Sequence, residues 1–379
     1  MKSTFNKNDL LPEGFKVFLP EDAAKEEYIS RKIQDYFFSN GYLLVKTPLI
    51  EYESNQIKGL IKYKPDNSFF LMEPDTKKIL VLRSDITSQI VRLATSKLAS
   101  YNRPLRLMYA GEVLRNEKNI YQSDRQFKQI GAEIIGSSSS NSLVEILNIT
   151  LDTLKAMNVN NITIDFSLPS ISRYLETKID FKKKEGSIIK EALDNKDSSI
   201  IRNTKYKYVK DLIELSGTID KVSKKVNNVK FPKTIDSLLK DFFKIALQVK
   251  KKIPNLSITF DITEAKSFLH YESLGFKIYN KENATAIAIG GDYKINKKEN
   301  GLGITIMVNK LIENIKLKKV EKIYIPYNID IKKVPEAIKK KYILVKELFP
   351  KKHALTEAIK HKCAYIFKKD MKLNKVEEL

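Results

Sequence analysis

The densest run of chemistry-bearing side chains in the 379 residues lies between Tyr109 and Gly136, YAGEVLRNEKNIYQSDRQFKQIGAEIIG. Arg115 and Arg125 flank a polar loop, and Gln129 and Glu133 follow on the segment that returns from it. An arginine fork on a rigid strand can hold a phosphate through two parallel hydrogen bonds. Gln129 and Glu133 are four residues apart, so on a strand they face the same side. A solvated hairpin with ordinary ion pairs would account for any one of these residues, but not for their joint order.

Other reactive patterns are missing. His270, His353 and His361 have no paired spacing with cysteine or carboxylates, which argues against a structural zinc site. There is no P-loop, no Gly-x-Ser-x-Gly elbow and no dinucleotide fingerprint. The pair Gly290-Gly291 reads as a tight turn or a close approach of backbone. The net charge of +22, from 68 basic and 46 acidic residues, would suit a polyanionic partner. Most of the excess is lysine in scattered runs such as Lys182–Lys184, Lys250–Lys252 and Lys339–Lys341, in a composition that also fits a bias toward A+T-rich codons. Specific phosphate recognition would rather use the planar arginine fork. No run of about 18 apolar residues could span a bilayer. The N-terminal segment lacks the pattern of a secretory signal, and the single Cys363 can form no internal disulfide. A cytoplasmic protein is expected.

These residues need a scaffold. Within residues 21–39, Ala24, Tyr28, Ile29, Ile33, Tyr36 and Phe37 recur at helical spacing, and the pattern stops at Asn40-Gly41, predicting an amphipathic helix with a C-cap. YLLVKTPLIEY reads as a strand with Pro48 at its end. SFFLMEP and KILVLRSD read as paired strands around a Pro-Asp-Thr turn, opening an antiparallel sheet. LRLMYAGEVLRNE and RQFKQIGAEIIG are further strands. Serines 137–140 precede the amphipathic run LVEILNITLDTLKAM and read as loop and N-cap. Residues 180–253 carry helical patterns and almost no strand signal, which predicts a helical insertion between two parts of the sheet. Strands resume in SITFDI, FKIYN and ATAIAIGG, and GLGITIMVNKLIENI reads as a strand entering a helix. A boundary near 316–320 assigns residues 1–318 to one domain and 319–379 to a small α/β unit.

The stretch 109–136 resembles motif 2 of the class II aminoacyl-tRNA synthetases, in the histidyl branch, where an Arg-x-Glu precedes a loop and an Arg-Gln-Phe-x-Gln-x-Gly-x-Glu strand. Thr47-Pro48-Leu49 with Glu51 is similar to motif 1, which builds the dimer interface in that family. Leu82-Arg83-Ser84-Asp85-Ile86-Thr87 resembles its Leu-Arg-Pro-Glu-Gly-Thr segment. Asp-Ile-Thr in place of Glu-Gly-Thr, and the opening Leu11-Pro12-Glu13-Gly14-Phe15, resemble the noncatalytic paralogues, the regulatory subunits of ATP phosphoribosyltransferase. KSFLHYESLGFKIY aligns with the synthetases' Arg-Gly-Leu-Asp-Tyr-Tyr segment: Tyr271 survives, Lys266 replaces the arginine, and Leu269 or His270 stands at the aspartate. Gly290-Gly291-Asp292-Tyr293 is similar to Gly-Gly-Arg-Tyr with the basic residue turned acidic. Motif 3, ending in Gly-x-Glu-Arg-Leu in the family, reads Val308-Asn309-Lys310-Leu311.

The resemblance implies an α+β fold: a class II aminoacyl-tRNA synthetase-like antiparallel sheet flanked by helices, with the helical insertion and the small C-terminal α/β unit. It implies a histidine site at Asp85, Gln129, Glu133, Tyr271 and Tyr293, with a carboxylate and an amide for the ammonium, a buried acid for the imidazole N–H, and aromatic walls. It also implies a vestigial nucleotide and phosphate site at Arg115, Glu117 and Arg125. The catalytic positions are substituted at Lys266 and Lys310, where lysine keeps the charge but not the fork. The implied function is that of a noncatalytic regulatory subunit of a short-form ATP phosphoribosyltransferase in the first step of histidine biosynthesis. Such a subunit activates its catalytic partner and relays histidine inhibition. Further implications are a class II-type dimer within a hetero-octamer, histidine as allosteric effector, no tightly bound cofactor, and Mg only on the partner's substrates. No metal site, membrane or tRNA is expected, and the short tail fits a protein freed from tRNA recognition. The alternatives are a divergent active histidyl-tRNA synthetase and a synthetase-derived RNA-binding protein, the latter requiring steeply salt-dependent RNA affinity.

Overall fold

The computed structural model describes residues 11–54, 68–116, 124–201, 204–253, 256–262, 271–351, 353–368, 370 and 372–378. The chain divides into two units, Met1–Ile315 and Lys316–Leu379. In the first, helix α1 (Pro20–Ser39) begins with a proline, whose missing N–H costs nothing in a first turn, and buries Ile29, Ile33 and Phe37 along one stripe. It stops at Asn40 and at Gly41, whose φ of +83° suits glycine.

The predicted strand through Pro48 is two strands in two sheets. Strand β1 (Leu43–Leu44) pairs in parallel with Leu107 and Met108, whereas β2 (Ile50–Tyr52), β3 (Phe69–Met72) and β4 (Ile79–Leu82) form a separate sheet in the order β2-β4-β3. Proline removes a ladder donor, and the chain turns there around a buried Arg83. The Arg83 Nη1 donates to the Thr47 carbonyl at 2.9 Å, and its Nε donates to the Glu112 carbonyl at 2.8 Å. Helix α2 (Thr87–Thr95) follows.

Strands β5 (Leu105–Leu114) and β6 (Gln126–Ile135) run antiparallel, from Leu105 opposite Ile135 to Leu114 opposite Gln126. The Ser139 side chain accepts from the Ser142 amide, which caps helix α3 (Ser140–Ala156). Next come β7 (Ile162–Ser167) and α4 (Pro169–Lys178). The insertion holds α5 (Lys184–Asn195), α6 (Tyr208–Glu214), the strand β8 (Ser216–Thr218), α7 (Ile219–Val226) and α8 (Lys233–Lys252). It is mostly helical, but β8 pairs with β9 (Ser257–Asp261) and forms one edge of the main sheet. Strands β10 (Gly275–Asn280), β11 (Thr285–Lys294) and β12 (Asn300–Met307) complete a nine-stranded sheet, β1-β5-β6-β12-β11-β10-β7-β9-β8.

That sheet is mixed rather than antiparallel throughout, because β1 with β5 and β7 with β9 are parallel. Parallel neighbours need a long crossover, which α4 and the insertion supply between β7 and β9. The expected helix after β12 is instead two 3₁₀ turns, Val308–Lys310 and Ile312–Asn314. The buried residues there, Val308 with Leu311 and Ile312 with Ile315, are spaced by three, the period of a 3₁₀ turn.

The second unit has a four-stranded sheet, β14-β13-β15-β16, from β13 (Lys322–Ile325), β14 (Ile343–Lys346), β15 (Tyr365–Phe367) and β16 (Leu373–Lys375). Helices α9 (Glu336–Lys341) and α10 (Ala354–Lys360) join the strands, over a core of Ile323, Ile325, Ile329, Val334 and Phe367. Among the described residues no helix is long and apolar enough to cross a membrane.

Candidate functional site

The register of β6 against β12 places Gly303 beside Glu133 and Met307 beside Gln129. Glu133 is 1% exposed; its Oε2 accepts from the Tyr293 hydroxyl at 2.7 Å and its Oε1 from Thr87 Oγ1 at 3.0 Å. The Tyr109 hydroxyl adds a second layer, 2.8 Å from Thr305 Oγ1 and 3.2 Å from Thr87 Oγ1. Glycines make the room. A Cβ at Gly303 would stand 1.8 Å from Glu133 Oε2, and one at Gly301 would stand 2.6 Å from the Tyr293 ring. Burial pushes the Glu133 carboxyl up to about 8, against the hydrogen bonds from Tyr293 and Thr87 that favour its ionised form.

Asp85 lies beside this acid at the start of α2. Its Oδ1 accepts from the Thr87 amide at 2.8 Å, where the helix N-terminus favours negative charge. Gln129 Nε2 reaches Asp85 Oδ2 at 3.5 Å, long for a hydrogen bond, and the buried Gln129 Oε1 has no partner. Buried polar atoms are normally satisfied, so this oxygen is an acceptor suited to a ligand N–H. Arg115 Nη2 lies 3.8 Å from Asp85 Oδ2, its Nε donates to the Ser84 carbonyl at 3.0 Å, and its guanidinium covers the Phe127 ring at 5.2 Å.

Tyr271 packs on β11, where a Cβ at Gly291 would stand 2.5 Å from the ring. Its hydroxyl is shifted upward by burial and then by the charges of Glu133 and Asp85, so it shares their surroundings. The structure thus brings Asp85, Gln129, Glu133 and Tyr293 into one hydrogen-bonded cluster, with Arg115 at its edge and Tyr271 close enough to feel its charges. Arg125 has a different setting: its guanidinium lies over Phe69 at 4.6 Å and Phe15 at 5.7 Å and bonds Asn116. Its amide donates to the Gly14 carbonyl at 2.8 Å, so it ties the N-terminal segment to β6. Lys310 is half-buried on the 3₁₀ turn after β12. Glu117 and Lys266 lie outside the described residues. Among the described residues no cluster of three His, Cys, Asp or Glu could hold a metal ion.

Three contributors escaped the sequence reading: Thr87, Tyr109 and Gly303. Thr87 closes the LRSDIT segment and Tyr109 opens the motif 2 stretch, so both were in view. Their hydroxyls gain meaning only from the pairing that brings α2 and β5 to Glu133.

A protein-family model described as Histidyl-tRNA synthetase matches residues 14–311. An ATP phosphoribosyltransferase regulatory subunit of Rhodospirillum rubrum is 30% identical over 287 residues, 75% of this chain and 75% of that protein. Among solved structures, an ATP phosphoribosyltransferase regulatory subunit/histidyl-tRNA synthetase from Bacillus halodurans superposes with a TM-score of 0.77 at 19% identity, covering 95% of this chain and 98% of that one. A chain of the ATP phosphoribosyl transferase (HisG:HisZ) complex from Thermotoga maritima superposes at 0.56 with 18% identity, covering 75% and 97%. Fold and site together define a class II aminoacyl-tRNA synthetase-like protein. The chain belongs to the histidyl-tRNA synthetase family, among the ATP phosphoribosyltransferase regulatory subunits.

Proposed function

We propose that this chain, as the regulatory subunit of a short-form ATP phosphoribosyltransferase in the cytoplasm, binds free histidine and catalyses no step itself. The observation that carries the reading is the buried Glu133, held by Tyr293 and Thr87 beside the partly satisfied Gln129 and Asp85. Glu133 takes an imidazole N–H, Asp85 and the free Gln129 oxygen take the ammonium, and Tyr271 and Tyr293 wall the ring. Adenylate chemistry needs preorganised arginine forks. Here Lys310 and Lys266 stand at two such positions, and Arg115 is turned onto Ser84 and Phe127.

The catalytic subunit, with Mg on its substrates, carries out the transfer of the phosphoribosyl group to ATP. This chain activates it and lowers activity when histidine is bound, which requires unequal histidine affinity for two states of the assembly. Self-association is part of the reading. Leu43 and Leu44 on β1, Ile50 on β2, and Phe70, Leu71 and Met72 on β3 are exposed apolar residues of the kind that a class II-type dimer buries, within a hetero-octamer. The test combines the chain with a short catalytic subunit. Phosphoribosyl transfer is expected to rise on mixing and to fall with histidine, while the isolated chain gives no histidine-dependent exchange of pyrophosphate into ATP. Such exchange would establish a synthetase instead.

A further inference from the structure

Position 292, basic in the motif that this segment resembles, is an aspartate here, 7% exposed on β11. Burying a carboxylate is costly unless hydrogen bonds compensate. The compensation is specific: Asp292 Oδ1 accepts from the Ser273 amide at 2.9 Å and from the Leu274 amide at 2.6 Å. Two successive amides converging on one oxygen form an anion-binding nest, and this chain supplies the anion from its own β11. The same residue's backbone completes the attachment, its carbonyl accepting from Glu272 at 2.7 Å and its amide donating to the Leu274 carbonyl at 3.1 Å.

The segment so held, Glu272 to Leu274, directly follows Tyr271, which belongs to no strand; β10 starts only at Gly275. From the other side, α4 contributes Arg173 Nη1, 2.8 Å from the Tyr271 carbonyl, and Ser170 Oγ, 3.3 Å from the Ser273 carbonyl. Gly291, next to Asp292, leaves the space that the Tyr271 ring fills. The Tyr271 ring is therefore located by β11, which also holds the backbone of the three residues that follow it, while Arg173 of α4 holds the Tyr271 carbonyl.

We propose that Asp292, assisted by Arg173, is a positioning residue of the pocket, fixing the Tyr271–Leu274 backbone so that a loop residue forms a rigid wall against the ligand. Residues on loops locate a ligand loosely unless a supporting shell locks them. The acidic substitution at 292 is thus a new function rather than loss of an old one. It also joins the pocket wall to α4, the helix that leads into the insertion, so a shift of Tyr271 is felt there.

This proposal rests on the pocket being a histidine site, and the experiment separates the two. Histidine is titrated calorimetrically into the full chain and into Asp292→Ala, Asp292→Asn, Arg173→Ala, Tyr271→Ala, the Asp292→Ala/Tyr271→Ala double variant and Glu133→Ala. Asp292→Ala and Arg173→Ala are expected to weaken binding about tenfold, whereas Asp292→Asn, whose amide oxygen still accepts both N–H groups, stays within about threefold. In the Tyr271→Ala background, Asp292→Ala is expected to add nothing. Wild-type affinity in Asp292→Ala, or an equal loss with and without Tyr271, overturns the positioning role while Glu133→Ala still abolishes binding. If Asp292→Ala does not fold, the same cycle is run with Arg173→Ala. Wild-type affinity in Glu133→Ala overturns the pocket itself, and the positioning role with it.

Discussion

Glu133 sets the proton balance of the pocket. Its folded pKa of about 8 lies above the ordinary 4.5, so between those values the folded chain keeps a proton that the unfolded chain has released. The empty protein should lose stability as pH rises through that window, and Glu133→Gln, which cannot ionise, should flatten the loss in a series of thermal melts. Histidine binding has a different profile. The ligand ring loses its proton near pH 6.5, so from about there to about 8 a neutral ring meets a protonated carboxyl, the same proton count as a charged ring on a carboxylate. Affinity should be level in that interval and fall on both sides, with proton release on binding below it and uptake above it. Calorimetry in buffers of different ionisation enthalpy reads both signs, and an affinity that changes in one direction across the whole range would sink the shared-proton account.

At the scale of elements, the pocket is a product of pairing between β6, β12 and β11. A carboxylate can stand on β6 at position 133 only because β12 has no side chain at 303. Gly303→Ala should therefore displace Glu133, costing about 1–3 kcal/mol of stability from overpacking and abolishing histidine binding. Thermal unfolding and histidine titration check the two effects, and a stable variant with unchanged histidine affinity would refute the dependence. The sequence made β5 and β6 legible because both strands are long and their polar residues sit on a fixed face. It made Gln129 and Glu133 legible as a pair for the same reason. It could not show that β12 supplies the empty space, since a glycine in a strand looks the same whether it accommodates a bulge or a neighbour's carboxylate. Nor could it separate a helix from two 3₁₀ turns after β12, because a short apolar run fits both periods. Asp292 was legible as a departure, but its partners are backbone amides, which have no signature in a sequence.

For the whole molecule, exposed apolar residues occur along the chain, and one group of them lies together on the short strands β1, β2 and β3. Met72 is 67% exposed on β3, an edge strand of the smaller sheet, and Leu43 and Leu44 lie on β1, an edge of the larger one. Edges of this kind are normally blunted or covered. Met72→Glu combined with Leu71→Lys should convert a dimer to a monomer in sedimentation velocity and leave histidine affinity unchanged; a dimer that persists would mean that other surfaces join the copies. The aspartate at 292 also bears on how this protein could change over time. Restoring an arginine there would set a buried cation against the two N–H dipoles of Ser273 and Leu274 that now meet an anion. An arginine at 292 would require the Ser273–Leu274 turn beside Tyr271 to be rebuilt at the same time. The aspartate and the turn it holds are therefore interdependent, and neither can change alone.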